Sequence, residues 1–463
     1  MEFLKNAALH TPPEHYQLLL FMMNLVFILL LPYLGFLLGT SVLSYFYNRR
    51  GLARGNDVET RWGNLLIDTA LASKGLVIIL LVIPALSLVF LLAQLLQETP
   101  SIAVTLMGSG FLLLLASAIL LYAYKLTYRL AGLLNSYSGL LRKTHAGGPE
   151  ELENLSGYSS VNQQTHLRAG LSGNILLLIG SFLTIGAITI SGDPDAWSSV
   201  ESLFNLLLYA PFWLRFAQFL VIAMGVTGVG ILFIFFSWGK RLPATDHEIV
   251  EIARRDGLRL AFVSVFLQPL VLILTVAELP SRALSGLVFG LSGLALALFF
   301  VSAHFIYAFK KEPRSGYAAC AFYTLMLALI LLVTKDQIGI SNATREQSVR
   351  LAVAANKETE DLRATLGVVL VKALSGQEIY DVKCSACHLF DARKIGPAYK
   401  DVIPKYEGKK TQLSGFILNP VKVDPAFPSM PNQGLRPPEA DSIASFLLAK
   451  FTGKPAQGAT GRE

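Results

Sequence analysis

Eight apolar runs of bilayer length recur in the first 335 residues, and they restrict the fold more than any other feature of this chain. We place them at 17–46, 72–97, 102–125, 170–190, 213–238, 258–279, 284–308 and 316–335. A hydrocarbon core of about 30 Å takes roughly 20 apolar residues in a helix. The composition agrees: 53 % of residues are hydrophobic and only 15 % charged, where a soluble domain carries about 25 % charged. The expected fold is all-α, with an eight-helix transmembrane part at 1–335. The first run exceeds what a bilayer needs and contains Pro32, so it should tilt or kink. Residues 201–212 are apolar but end at Pro211, and they read as interfacial rather than spanning. No repeat of 20–50 residues is visible. The first apolar run is too long for a cleavable leader, so the chain is expected to stay in the membrane from its first helix.

The last part of the chain is of another kind. Cys384-Ser385-Ala386-Cys387-His388 has the C-x-x-C-H spacing of c-type haem attachment. Each thiol can add across one vinyl group, and the next residue supplies an axial imidazole. The chain has three cysteines, and the second pair of ligands that a zinc site needs is missing. A thioredoxin-type C-x-x-C would sit in a βαβ context, which is also missing. Haem c, bound covalently and one per chain, is therefore the expected cofactor. A second axial ligand must come from elsewhere. Met430, in the proline-stiffened run Phe427-Pro428-Ser429-Met430-Pro431, is the one methionine after position 326. His388 and Met430 are accordingly the expected iron ligands, a pairing that raises the reduction potential.

From Gly376 and Tyr380 through Lys394-Ile395-Gly396-Pro397 to the helix expected at 439–451, the segment resembles a class I cytochrome c. That resemblance implies that the Pro397 carbonyl receives the His388 ring N–H, fixing its tautomer and orientation. It also implies that the C-terminal helix, with its stripe Ile443, Phe446 and Leu447, crosses the first helix near Gly376. Phe416 and Tyr406 are expected to pack around the haem. The apolar part of the chain offers no comparable motif.

Charge placement gives the expected topology. Eight spans put both ends on one side, and c-type haem is assembled outside the bacterial inner membrane, so N-out and C-out is expected. The inner loops then carry Arg49, Arg50, Arg54 and Arg61; Lys125, Arg129, Arg142, Lys143 and Arg168; Lys240, Arg241, Arg254 and Arg255; and Lys310, Lys311 and Arg314. The outer segments before the last span carry Lys5 and Arg282. This asymmetry is the one expected of an inner-membrane protein with its C-terminal part in the periplasm. The basic balance reflects these loops, and no nucleic-acid partner is expected.

Residues 336–374 read as a helical linker, with a helix expected over 344–374 from its Ala, Val, Leu, Glu and Lys content, ahead of a cytochrome-like part at 375–463. Residues 127–168 read as a long inner loop whose first half, through Leu141, continues the third span. Histidines in pairs could hold haem b, but of His10, His15, His145, His166, His247 and His304 only His304 lies well inside a run. Polar residues within the runs are Lys74, Arg215, Gln218, Gln268, Glu278 and His304, and Cys320 reads as a small buried residue. Glu278, at an outer end, could accept a proton from a quinol. No catalytic residue is assigned. The expected role is one-electron transfer in a respiratory membrane complex, with the lipid bilayer, other membrane subunits and redox donor and acceptor proteins as partners. The alternative is an oxidoreductase whose membrane part oxidises quinol or another substrate and feeds the haem.

Overall fold

The computed structural model describes residues 13–97, 99–144, 149–238, 246–366 and 375–452. These residues are helical or loop, with no strand among them. The chain divides into two compact units, Met1–Glu358 and Thr359–Glu463.

The first unit is a helical bundle. Its long helices are α1 (Pro13–Arg54), α3 (Lys74–Leu95), α4 (Ala103–Thr144), α5 (Pro149–Ser191), α8 (Ala210–Trp238), α9 (His247–Ala277), α10 (Gly286–Lys311) and α11 (Ser315–Ala343). All eight are long and apolar enough to cross a membrane. Backbone groups in hydrocarbon must bond within their own segment, which selects helix for every span. Shorter helices lie between them: α2 (Asp57–Ala70), α6 (Pro194–Ser199) and α7 (Leu203–Leu208). Helix α7 falls in the apolar stretch before Pro211 and is too short to span. Pro211 enters the first turn of α8, where its missing N–H costs nothing.

Several helices outrun their apolar runs. The 42 residues of α4 and 43 of α5 make a pair about 60 Å long at 1.5 Å per residue, twice the hydrocarbon thickness. The continuation of the third span expected through Leu141 is present and reaches Thr144, while 149–168, expected as loop, is the first part of α5. Helix α2 was also expected as loop. Asn56 caps it by accepting from the backbone N–H groups of Val58 and Glu59. It buries Trp62, whose indole N–H donates to Asp256 on α9 at 3.2 Å.

Small residues bring the central helices together. A Cβ on Gly35 would lie 3.0 Å from Ala223 Cα, and one on Gly39 would lie 2.0 Å from Thr227 Oγ1. Gly35 and Gly39, four apart on α1, thus face Ala223 and Thr227, four apart on α8, a small-xxx-small contact suited to membrane packing. Buried hydroxyls and amides add ties. Ser41 donates to Asn174 at 2.8 Å, and Asn48 donates to the Tyr124 hydroxyl at 2.5 Å. At the end of α2, Asp68 pairs with Lys125 at 3.0 Å and Arg129 at 2.8 Å.

Helix α12 (Arg345–Thr365) runs from the first unit into the second. The second unit contains α13 (376–384), α14 (Tyr399–Val402) with a 3₁₀ turn at Ile403–Tyr406, α15 (Lys410–Leu418) and α16 (Pro437–Thr452). Its core joins Ile379, Tyr380, Ile403, Leu413, Ile443 and Leu447.

Candidate functional site

Ser375 starts α13 with a reciprocal cap: its hydroxyl accepts from the Glu378 N–H, and the Glu378 carboxylate accepts from the Ser375 N–H. The helix then widens into a π-turn over Tyr380–Cys384, where the Ser385 N–H donates to the Tyr380 carbonyl. Gly376 lies against α16, where a Cβ would come 2.4 Å from Phe446 Cβ and 2.5 Å from the Ser442 carbonyl oxygen. The close crossing expected at Gly376 is therefore present, and it fixes the helix that ends in Cys384.

The turn after α13 folds back on itself. The N–H groups of Cys387 and His388 donate to the Cys384 carbonyl at 3.1 and 2.9 Å, and those of Ile395 and Gly396 donate to the Cys387 carbonyl at 3.2 and 2.9 Å. His388 is held from three sides. Its Nδ1 lies 3.0 Å from the Pro397 carbonyl oxygen. Its ring stacks on Tyr399 with centroids 4.8 Å apart and planes within 6°. Gly396 runs beside it so closely that a Cβ there would fall 2.2 Å from Cε1. The Tyr380 hydroxyl donates to the His388 carbonyl at 3.2 Å. With Nδ1 engaged as a donor to Pro397, Nε2 is left with its lone pair.

Cys384, Cys387, His388, Pro397 and Met430 line one cavity of about 250 Å³. Its remaining walls are mostly apolar and include Ile403, Tyr406, Leu413, Phe416 and Phe427. Tyr406 and Phe416 pack ring to ring at 6.3 Å. Both thiols of the motif are unpaired. Burial pushes the Cys384 thiol up from its ordinary value, with a hydrogen bond from Tyr399 opposing. Burial likewise raises the Tyr399 hydroxyl, and the neighbouring Cys384 raises it further. Two thiols, an imidazole with a free nitrogen and a thioether around an apolar cavity form the donor set that suits a covalently held haem. Carboxylates dominate neither the walls nor the donors: Asp424 is the one acidic residue among the lining.

Of the lysines near this cavity, Lys383 donates to the Gln433 carbonyl at 2.9 Å and Lys394 to the Ser385 carbonyl at 3.0 Å, while Lys422 is exposed. At the start of α16, Arg436 hydrogen-bonds Glu439 and holds that carboxyl below its ordinary range.

The other residues singled out in the sequence are scattered over the first unit. His304 and His247 are exposed on the surface of that unit, and His166 is buried, stacked on Tyr124 at 4.2 Å with Nδ1 near Thr127 Oγ1. His10 and His145 lie outside the described residues, as does the side chain of His15. Cys320 was expected to be buried but is exposed on α11, because its helix face looks outward from the bundle. Arg215, near the start of α8, is not free. It pairs at 3.5 Å with Asp336, which also meets the fully buried Lys335 at 2.6 Å. Asp336 and Lys335 sit where the apolar run ends and gave no hydropathy signal of their own.

A sequence profile described as Cytochrome c matches residues 373–450. Three relatives match over a comparable length. Cytochrome c-552 of Hydrogenobacter thermophilus is 32 % identical over 93 residues, 19 % of this chain and 93 % of its own length. Cytochrome c-551 of Ectopseudomonas mendocina is 38 % identical over 79 residues, 16 % of this chain and 95 % of its own. Cytochrome c-551 of Pseudomonas denitrificans is 32 % identical over 80 residues, 16 % and 95 % respectively.

Proposed function

Through its C-terminal residues the chain belongs to the cytochrome c family, and from that membership we propose a membrane-anchored, one-haem cytochrome that relays single electrons within a respiratory membrane complex. The cavity is the observation that carries this reading, because two unpaired thiols, His388 and Met430 all line it. Cys384 and Cys387 would hold the haem through thioethers, and His388 Nε2 and Met430 Sδ would ligate its iron. The iron, when bound, supplies a one-electron Fe(III)/Fe(II) couple.

The surrounding residues tune that couple. The Pro397 carbonyl fixes the His388 tautomer and raises the basicity of Nε2. Tyr399 stacks on the ring and limits its rotation. Apolar walls exclude water and disfavour added charge, which with thioether ligation favours the reduced state. The eight apolar helices hold the chain in the lipid bilayer. The asymmetry of Lys and Arg supports an inner-membrane protein with both ends in the periplasm, and the part from 375 onward as its periplasmic haem domain after a helical linker. Pyridine haemochrome analysis of the full chain tests this. One haem c and no haem b per chain supports the relay, and haem b beside it would point to an oxidoreductase.

The second reading, in which the membrane part itself oxidises quinol, is favoured by one feature of the first unit: an apolar cavity that ends in Arg215, Gln218 and Asp336.

A further inference from the structure

Arg215 and Gln218 stand one turn apart near the start of α8, and Asp336 faces them from α11. Together they form the polar end of a cavity walled by α1, α5, α8 and α11. Water centres can occupy about 70 Å³ of it, several times what one water needs. The remaining wall is almost wholly apolar and includes Phe27, Leu31, Phe219, Ile222 and Leu329. Gln218 is 5 % exposed and has no hydrogen-bond partner among the described residues. Arg215 has five N–H donors and one long ion pair, at 3.5 Å to Asp336. An amide and a guanidinium in hydrocarbon with unmet donors are costly unless a ligand or water meets them.

A lipid acyl chain would fill the walls and leave the polar end unmet. A polar solute would satisfy that end and waste the walls. A flat ring with an oxygen at its edge and an apolar tail satisfies both. Arg215 and Gln218 can donate to a ring carbonyl, and Asp336 can accept from a ring hydroxyl. A smaller cavity of about 30 Å³ shares Arg215, Thr189 and Ile340 with it and is also lined by Asp193, Tyr209 and Glu278.

We infer that this cavity binds the head of a lipid-soluble quinone or its quinol. The inference rests on the reading that the membrane unit takes part in electron transfer with the haem domain. It concerns binding alone.

The test uses the full-length holoprotein in lipid nanodiscs. A short-tailed benzoquinone and a short-tailed naphthoquinone are titrated, and an azido-benzoquinone is photo-crosslinked and mapped by peptide mass spectrometry. Saturable binding of either quinone is expected, with label on residues 215–222 or 329–340. Gln218→Leu removes an amide that has no protein partner, and it should weaken binding about five- to tenfold, the value of one hydrogen bond. Absence of saturable binding overturns the inference, as does label confined to other helices with affinity unchanged in Gln218→Leu. Haem content and reducibility by ascorbate are read on the same sample. A reducible haem without quinone binding removes this site and leaves the electron-transfer reading intact. Quinone binding in a chain that carries no haem does the reverse.

Discussion

Gly376→Ala is the substitution whose effect the structure defines most narrowly. The new Cβ would lie 2.4 Å from Phe446 Cβ and 2.5 Å from the Ser442 carbonyl oxygen, whereas carbon atoms rest about 3.5–4.0 Å apart. Both obstacles are at or near the backbone of α16, so no side chain can swing away. The helices must separate by about 1 Å, which loosens Ile379 against Ile443 and Leu447 in the buried core. Overpacking of this kind costs about 1–3 kcal/mol. In a domain of this size that lowers Tm by roughly 5–20 °C. Gly415→Ala is the control. Gly415 is inside α15 with nothing within 4 Å of its added Cβ, so alanine should stabilise by about 0.5–1 kcal/mol. Visible-region circular dichroism of the full-length holoprotein during heating follows the haem-bearing unit in both variants. Opposite shifts are expected. A Gly376→Ala protein as stable as the parent would refute the helix crossing on which the site's geometry depends.

Met430→Leu should lower the reduction potential and move the ferric spectrum toward high spin, while denaturing gels still show covalent haem. An unchanged potential would remove Met430 from the ligand set. Asp336→Asn should destabilise the membrane unit by about 3–5 kcal/mol, because it strips the fully buried Lys335 of its counter-charge; thermal unfolding in detergent reads this, and a change near zero would contradict the pairing. The Glu439 carboxyl is held below its ordinary value of 4.5 by Arg436. Its contribution is therefore complete above that value and is lost as pH falls through the lower, folded value. Glu439→Gln should flatten the acid limb of the stability profile, and an unaltered limb would count against this bond.

The spans were legible because apolar length is itself the physical requirement for crossing a bilayer. Their ends were not. Hydropathy is low in the part of α5 ahead of its apolar run, but its backbone hydrogen bonding already begins at Pro149. Helix α2 escaped notice because only one face of it is apolar, and Trp62 finds its partner, Asp256, 194 positions away. In the second unit, the spacing of Cys384, Cys387 and His388 and the Gly396-Pro397 pair pointed to the site directly. The stacking of Tyr399 on His388 and the Tyr380 bond to the His388 carbonyl carry no local signature. Asp336 and Lys335 were missed for a related reason, since a charge at the end of an apolar run looks the same whether it reaches water or is buried.

Mass spectrometry of the peptide containing Cys384 and Cys387, from protein matured in cells that assemble c-type haem, tests the central claim most directly. A peptide heavier by one haem, retained after denaturation and acid–acetone extraction, is the expected result. A peptide of unmodified mass with both thiols free to alkylate would contradict the account.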